Sequence, residues 1–174
     1  MAVLTETPTP TQIQSETTTD AAGIRRFPKR QIREPKVLNE AYDYASPVPF
    51  VRGMRVELPG ASMLYISGTS AVDEEGRSVY VGDIRAQSRR TFENIEALLA
   101  SEGADWHDVV RTTCYLRDMS RDYTPFNDLR MGFYLEKGLE PFPASTCIQA
   151  TICREDLLVE IEAIAVIPSD RKRS

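Results

Sequence analysis

The last predicted strand, residues 157–168, carries the pattern that most constrains the fold. Two sets of side chains alternate along its sequence, LLVEIEAIAVIP: Val159, Ile161, Ala163, Ala165 and Ile167 against Glu160, Glu162, Ile164 and Val166. This period of two predicts a β-strand rather than a helix. One face is wholly apolar, whereas the other begins with two carboxylates and ends with two β-branched residues. We expect the acidic end to meet a cleft or another subunit. A half-exposed sheet edge with solvated glutamates is the alternative.

The rest of the chain alternates between strand and helix patterns. The sequence predicts strands over 49–59, 62–72, 108–119 and 144–154, and helices over 83–102 and 124–136. This order, β-β-α-β-α-β-β, indicates an α+β fold in which two helices cover one face of a mixed sheet. The second face is rich in apolar residues, and self-association is the simplest way to cover it.

Composition narrows the classes of protein to consider. The chain has 174 residues, of which 41% are hydrophobic and 27% charged, which suits one domain plus some unpacked sequence. A net charge of −5 disfavours a nucleic-acid binder. No apolar run reaches the roughly 18 residues that a membrane span needs, and the N-terminus does not resemble a secretory signal.

Cysteine and histidine usage argues against metal and triad chemistry. The three cysteines, Cys114, Cys147 and Cys153, are an odd number without metal-type spacing, which indicates reduced thiols in a cytoplasmic protein. His107 is the only histidine, so a zinc site or a Ser-His-Asp triad is disfavoured. The sequence therefore predicts no metal and no other cofactor.

The N-terminal region, residues 1–45, is predicted to be a disordered or extended leader before a domain over residues 46–169, and the sequence does not tell whether this leader folds onto the domain. Its first part, to about residue 24, is rich in Thr, Pro, Ser and Glu and is predicted to be disordered. A basic patch follows over 25–36, which could bind an acidic partner or a neighbouring subunit; a solvated leader is the alternative. Residues 170–174 form a basic C-terminal tail.

Several motifs resemble one known family. They are ISGTSAV at 66–72, GDIRAQ at 82–87, ENIEALLASEGADWHDVVRTTCYLRDM at 93–119, FND at 126–128, FPAS at 142–145 and VEIEAIAV at 159–166. In this order and spacing they resemble the RidA/YjgF family of reactive intermediate deaminases, also named endoribonuclease L-PSP, over about residues 46–168. The resemblance implies a chorismate-mutase-like fold and a homotrimer around a central barrel, with three clefts between subunits. It also implies hydrolysis of enamine or imine acids to keto acids and ammonia.

Three positions match the family's functional residues. Asn127 and Cys147 are expected to line the cleft, and Glu160 matches the glutamate that positions or activates water. In a partly dry cleft a carboxylate has a raised pKa and can serve as a general base. Glu162, on the same strand face, would push the two pKa values apart. A salt bridge from Glu160 to Arg52 or to another subunit is the alternative.

Other positions depart from the family. Ser145 stands where the family has an arginine that binds the substrate carboxylate, Phe50 replaces a tyrosine, and Thr69 replaces a glutamine. Serine carries no charge, so either the substrate is atypical or the cation has moved. Arg52, two residues beyond Phe50 on the same strand face, is the first choice for a relocated cation. Arg117 and Arg154 are weaker choices, and an ordinary surface arginine is the alternative.

Two classes of function remain. The first is a deaminase-like hydrolase in which Glu160 activates water and the backbone amides of Ser67, Gly68 and Thr69 stabilise negative charge. A β-bulge at Gly68 is the structural alternative. The GTS sequence at 68–70 also resembles chorismatases, which hydrolyse an enol ether. The second class is a non-catalytic protein that binds a small ligand or a partner, suggested by Ser145 and Phe50. Ribonuclease activity is disfavoured by the acidic balance and the single histidine.

Overall fold

The computed structural model describes residues 17–44 and 46–171, and its body is a six-stranded sheet with two helices on one face. The strands are β1 (Thr18–Thr19), β2 (Arg25–Arg26), β3 (Lys29–Ile32), β4 (Gly53–Leu58), β5 (Ala61–Thr69), β6 (Val109–Leu116), β7 (Ala144–Gln149) and β8 (Val159–Pro168). The helices are α1 (Ile84–Ala100) and α2 (Met119–Glu136). From β4 onward the order is the predicted one, which confirms the α+β class.

The last strand lies inside the sheet and not at its edge. The spatial order is β3-β4-β5-β8-β6-β7, and every pair is antiparallel except β6 and β7. β8 therefore has hydrogen-bonded neighbours on both sides, and the alternative of a sheet edge is wrong, although Glu162 is exposed to solvent. The single parallel pair arises because α2 carries the chain from the end of β6 back to the start of β7.

The apolar half of the β8 alternation faces the helices. Val159, Ile161 and Ala165 are fully buried, and α1 packs on them with Phe92 and Leu98. Phe92 is also at the centre of an aromatic cluster and stacks on Phe133 of α2 with ring centroids 4.8 Å apart. Hydrophobic burial on one face thus orients the whole strand, and its acidic half must face the other way.

Both helices begin at aspartate caps. Asp83 accepts a hydrogen bond from the Ala86 amide at 3.0 Å, as predicted for α1. Asp118 accepts one from the Arg121 amide at 3.1 Å, so α2 begins at residue 119 and not at the predicted 124. Pro125 lies inside α2, where its missing N–H misleads a sequence-based estimate of the helix start.

The N-terminal region is partly built into the domain, which corrects the predicted domain boundary at residue 46. β3 pairs with β4 and extends the sheet, and Ile32 and Leu38 are fully buried in the main core. Arg30, in the predicted basic patch, makes a bidentate ion pair with Glu102, whose side chain is fully buried. The acidic partner of this arginine is therefore intramolecular. Residues 1–16 lie outside the described residues.

Further parts of the basic patch are also paired within the chain. Arg26 contacts Asp20 at 2.9 Å, and Arg33 contacts Glu40 at 3.2 Å. In the predicted C-terminal tail, Arg171 pairs with Asp108, and residues 172–174 lie outside the described residues. Within residues 17–44 and 46–171, no helix has both the length and the hydropathy to cross a membrane. The same residues hold no cluster of three or more metal-type ligands.

Candidate active site

A cavity of about 910 Å³ lies at the acidic end of β8. Residues from the N-terminal region, β5, β8 and the loop before β8 contribute to its walls. Among them are Tyr44, Phe50, Arg52, Gly68, Arg154 and Glu160. A cavity beside Glu160 is therefore present within one chain, whereas the resemblance implies clefts between subunits, and the N-terminal region closes part of this cavity. Phe50 is partly exposed and forms an apolar section of the wall.

Glu160 lies directly over the backbone of Gly68. A β-carbon at residue 68 would be 2.0 Å from Oε1 of Glu160, so the carboxylate reaches this position only because residue 68 is glycine. The register between β5 and β8 shifts between Ile66 and Thr69, so the bulge considered as a structural alternative is present. The bulge and the glycine together let the glutamate turn toward the cavity.

The Glu160 carboxylate is unusual in its electrostatics. It is half-buried, and the loss of hydration, with a smaller contribution from the charge of Glu162, raises its pKa. No arginine or lysine among the described residues contributes to its pKa or pairs with it, so the alternative of a salt bridge to Arg52 is wrong. Glu162 is exposed and accepts a hydrogen bond from the Tyr115 hydroxyl at 3.1 Å. A half-buried carboxylate with a raised pKa can exchange protons with water or a ligand.

The residues next to Gly68 have internal partners. The amide of Ser67 donates to the Arg52 carbonyl at 3.0 Å, and its hydroxyl donates to the Val51 carbonyl at 2.7 Å. Thr69 is buried, is not part of the cavity wall, and donates its hydroxyl to the Ser67 carbonyl at 2.8 Å. The structure therefore argues against Ser67 as an amide donor to an oxyanion and against Thr69 as a contact to a ligand.

Arg52 lines the cavity but is largely occupied by the protein itself. Its Nε and Nη2 donate to the Asn39 carbonyl at 2.8 and 2.7 Å, and Nη2 also donates to the Tyr44 hydroxyl. The guanidinium stacks over the Tyr44 ring at 5.4 Å, while Arg154 approaches the same ring at 5.5 Å. Only 4% of Arg52 is exposed. It fixes the N-terminal region to the sheet and adds positive charge to the cavity wall.

The other predicted site residues lie on the opposite face of the sheet. Ser145 pairs with Thr112 of β6, and Cys147 pairs with Cys114, so their side chains point toward the helices. Glu160 pairs with Tyr115, whose side chain points away from the helices. A single chain therefore brings Phe50, Arg52, Gly68 and Glu160 together at the cavity. A second group, which also includes Asn127, lies behind the sheet.

The cysteine of this second group is a poor nucleophile. Burial, with a contribution from the neighbouring Cys114, raises the pKa of the Cys147 thiol to about 11. Burial also raises the pKa of Cys114. Both thiols are protonated at neutral pH, which disfavours a nucleophilic role for Cys147. Cys153 is exposed.

Arg130 on α2 is a further member of this group, and the sequence analysis missed it. Its Nη1 donates to the Ser145 hydroxyl at 3.0 Å, and its Nη2 donates to Oδ1 of Asn127. Asn127 and Arg130 are three residues apart and lie on the same side of the helix. This spacing is the one feature of the sequence that could have pointed to Arg130. It becomes informative only once the structure shows that α2 brings Arg130 to Ser145 of β7.

The face of the sheet away from the helices exposes large apolar side chains. Tyr65, Ile148 and Val166 are 41%, 44% and 37% exposed, and they lie on β5, β7 and β8. Their neighbours on the same face include Ile164 and Tyr115. Together these residues form an apolar face that no other element of the described chain covers.

The fold and the carboxylate-lined cavity define a small α+β protein with a candidate acid–base site. The chain belongs to the Endoribonuclease L-PSP family, also called the RidA/YjgF family: the sequence profile of that family matches residues 44–167. The matched segment spans the strands and helices from β4 to β8, which confirms the resemblance noted from the motifs.

Relatives with names and solved structures support the same family. The chain is 33% identical to the 2-iminobutanoate/2-iminopropanoate deaminase of Salmonella typhimurium over 118 residues, which cover 68% of this chain and 87% of the relative. It is 35% identical to the 3-aminoacrylate deaminase RutC of Acinetobacter baylyi over 104 residues, covering 60% and 79%. The crystal structure of the Escherichia coli YjgF gene product superposes with a TM-score of 0.63 at 28% identity, covering 79% of this chain and 98% of that one.

Proposed function

We propose that this protein is a deaminase-like hydrolase that converts a small imine or enamine to a carbonyl compound and ammonia. The observation that carries the proposal is the environment of Glu160. Its half-buried carboxylate has a raised pKa, has no cationic partner among the described residues, and faces a cavity of about 910 Å³. The deaminase names of the two relatives agree with this chemistry. The proposed location is the cytoplasm.

The proposed reaction needs one acid–base group. A water oxygen forms a bond to the imine carbon while Glu160 accepts one proton from that water. Glu160 returns this proton to the imine nitrogen, which gives a neutral carbinolamine. It then transfers the proton of the new hydroxyl group to the same nitrogen, and the C–N bond breaks as the carbonyl forms and NH3 leaves. An imine carbon is already electrophilic, so neither a metal nor a covalent intermediate is required.

We further propose that the complete site lies between copies of the chain in a homotrimer. In one chain Glu160 and the group of Ser145, Asn127 and Cys147 are on opposite faces of the sheet, so a small substrate touches both only across a subunit boundary. The exposed apolar face that carries Tyr65 and Val166 supports an assembly that buries it. Because Ser145 carries no charge, the substrate is proposed to be atypical unless another residue supplies the cation that binds its carboxylate.

The test is hydrolysis of imines by the purified protein. Enzymatically generated 2-aminoacrylate and related imino acids are supplied, and ammonia release is followed for the wild type and for Glu160→Gln. Loss of a general base lowers the rate by about 10²–10⁴-fold. A wild type without turnover on any of these compounds would contradict the proposal, and turnover unaffected by Glu160→Gln would remove Glu160 as the catalyst.

A second candidate is a ligand-binding protein without catalysis. Ser145 and Phe50 favour it, because both lack the charged or hydroxyl group that the resemblance leads us to expect. Saturable binding of a small ligand without ammonia release from any imine would support this second function.

A further inference from the structure

The side chain of Arg130 is fixed in place between α2 and β7. Nδ2 of Asn127 donates to the Tyr123 carbonyl at 3.0 Å, which leaves its Oδ1 directed at Nη2 of Arg130. The guanidinium also lies 5.2 Å from the centre of the Phe126 ring. A guanidinium held on two sides loses little further freedom when it binds a ligand.

The charge of Arg130 is not neutralised within the described chain. The hydrogen bonds of its guanidinium go to Ser145, Asn127 and Cys114, all of which are neutral. Arginine stays charged at any ordinary pH, and a half-buried charge favours an anionic partner. Its planar pair of N–H donors matches the two oxygens of a carboxylate. The exposed Ser145 hydroxyl beside it supplies another hydrogen bond.

We propose that Arg130 and the Ser145 hydroxyl bind the carboxylate of a small 2-imino or 2-oxo acid. The proposal rests on the proposed function in one respect: the acid bound here is the one whose imine carbon meets Glu160 of a neighbouring copy. In this arrangement the helix supplies the cation, and the strand supplies only a hydroxyl. Asn127 is then a positioning residue, because it orients Arg130 and does not itself need to touch the substrate.

The other arginines considered from the sequence are less suited to this role. Arg52 donates through Nε and Nη2 to the Asn39 carbonyl and is almost fully buried. Arg117 donates to the carbonyls of Leu157, Ile152 and Arg154, and therefore holds the loop before β8. Arg154 donates to the Gly76 carbonyl at 2.6 Å. Backbone carbonyls occupy all three, whereas Arg130 contacts side chains at an open surface.

The test measures binding without turnover. Pyruvate, a 2-oxo acid, and pyruvamide, its uncharged analogue, are titrated into the full-length protein by calorimetry. The wild type is expected to prefer pyruvate by about 10- to 100-fold, the usual effect of one charge-assisted pair. Arg130→Ala should abolish this preference. Arg85→Ala, which removes an exposed guanidinium paired with Asp128, should preserve it. An unchanged preference in Arg130→Ala overturns the proposal.

Two further variants guard against a merely structural effect. Arg130→Lys keeps the charge but loses the paired donors, so it should retain only part of the preference, and it carries the test if the alanine variant does not fold. Arg130→Ala combined with Ser145→Arg returns a guanidinium to the same place from β7 and should restore the preference. A double variant that folds without restoring it contradicts the proposal.

The outcomes also separate this proposal from the proposed function. Pyruvate binding that depends on Arg130 in a protein without imine turnover would refute the hydrolase and keep the carboxylate site. Turnover that depends on Glu160 but not on Arg130 would support the hydrolase and refute the carboxylate site.

Discussion

Mixed assemblies provide a direct test of whether Glu160 and Arg130 act in one site. In a single chain the two side chains lie on opposite faces of the sheet. Glu160 is opposite Tyr115 in the strand register, on the face away from the helices. Ser145, which accepts a hydrogen bond from Arg130, is opposite Thr112, on the face toward the helices. A small substrate cannot contact both through the sheet. If they cooperate, each site takes Glu160 from one copy and Arg130 from the next. The perturbation is therefore to combine Glu160→Gln chains with Arg130→Ala chains in one assembly.

The expected magnitude follows from counting sites. With equal amounts and random mixing, about one site in four of a closed ring joins an intact Glu160 to an intact Arg130. Each variant alone has no intact site, and Glu160→Gln alone should lose about 10²–10⁴-fold in rate. The mixture is therefore expected to recover about a quarter of the wild-type rate, far above either variant by itself.

The assay is ammonia release from an imino acid after the two variants are co-expressed in equal amounts and the whole population of assemblies is purified through one tag that both variants carry. A mixture of Glu160→Gln with Arg85→Ala is the control for mixing, and about half the wild-type rate is expected because half of the sites keep an intact Glu160. A rate in the first mixture no higher than in the single variants, with the control near one half, would refute a site shared between copies.

Further predictions concern Glu160, Gly68 and the N-terminal region. Burial raises the pKa of Glu160 above the ordinary 4.5, so the ionised form that acts as the base is lost as pH falls through this raised pKa. kcat/KM should decline over the same pH range, and a decline centred at or below pH 4.5 would contradict this. A raised pKa also means that the ionised Glu160 carboxylate destabilises the folded state, and this cost grows as pH rises through the pKa. Glu160→Gln should therefore raise the free energy of unfolding near pH 7 but not below pH 4, as measured by urea denaturation. Gly68→Ala places a methyl group 2.0 Å from Oε1 of Glu160 and should cost about 1–3 kcal/mol of stability together with most of the activity; wild-type turnover in this variant would refute the close packing. Arg30→Ala removes a bidentate partner of the buried Glu102 and should cost about 1–3 kcal/mol, whereas the neighbouring Lys29→Ala should cost much less; equal effects would show that the ion pair does not stabilise the fold.

Local sequence patterns predicted most of the body of this protein. The alternation over residues 157–168 identified β8 and its buried face, because a strand in a layered fold must place one set of side chains in the core. The motifs from ISGTSAV to VEIEAIAV identified the family, and Glu160 was expected at a cleft. The pairing of the N-terminal region with the sheet was not predicted, because β3 has only four residues and the partner of Arg30 is Glu102, distant in sequence.

The sequence by itself thus determined the strands, the helices and the acidic character of one sheet face, since each depends on neighbours a few residues apart. Only the tertiary structure decided that Ser145 and Glu160 lie on opposite faces, because strand register sets the direction of each side chain. It also decided the place of Arg130, because a helix packed beside β7 brings its guanidinium to the Ser145 hydroxyl. Contacts of this kind depend on how separate elements pack together, and no local pattern along the chain encodes them.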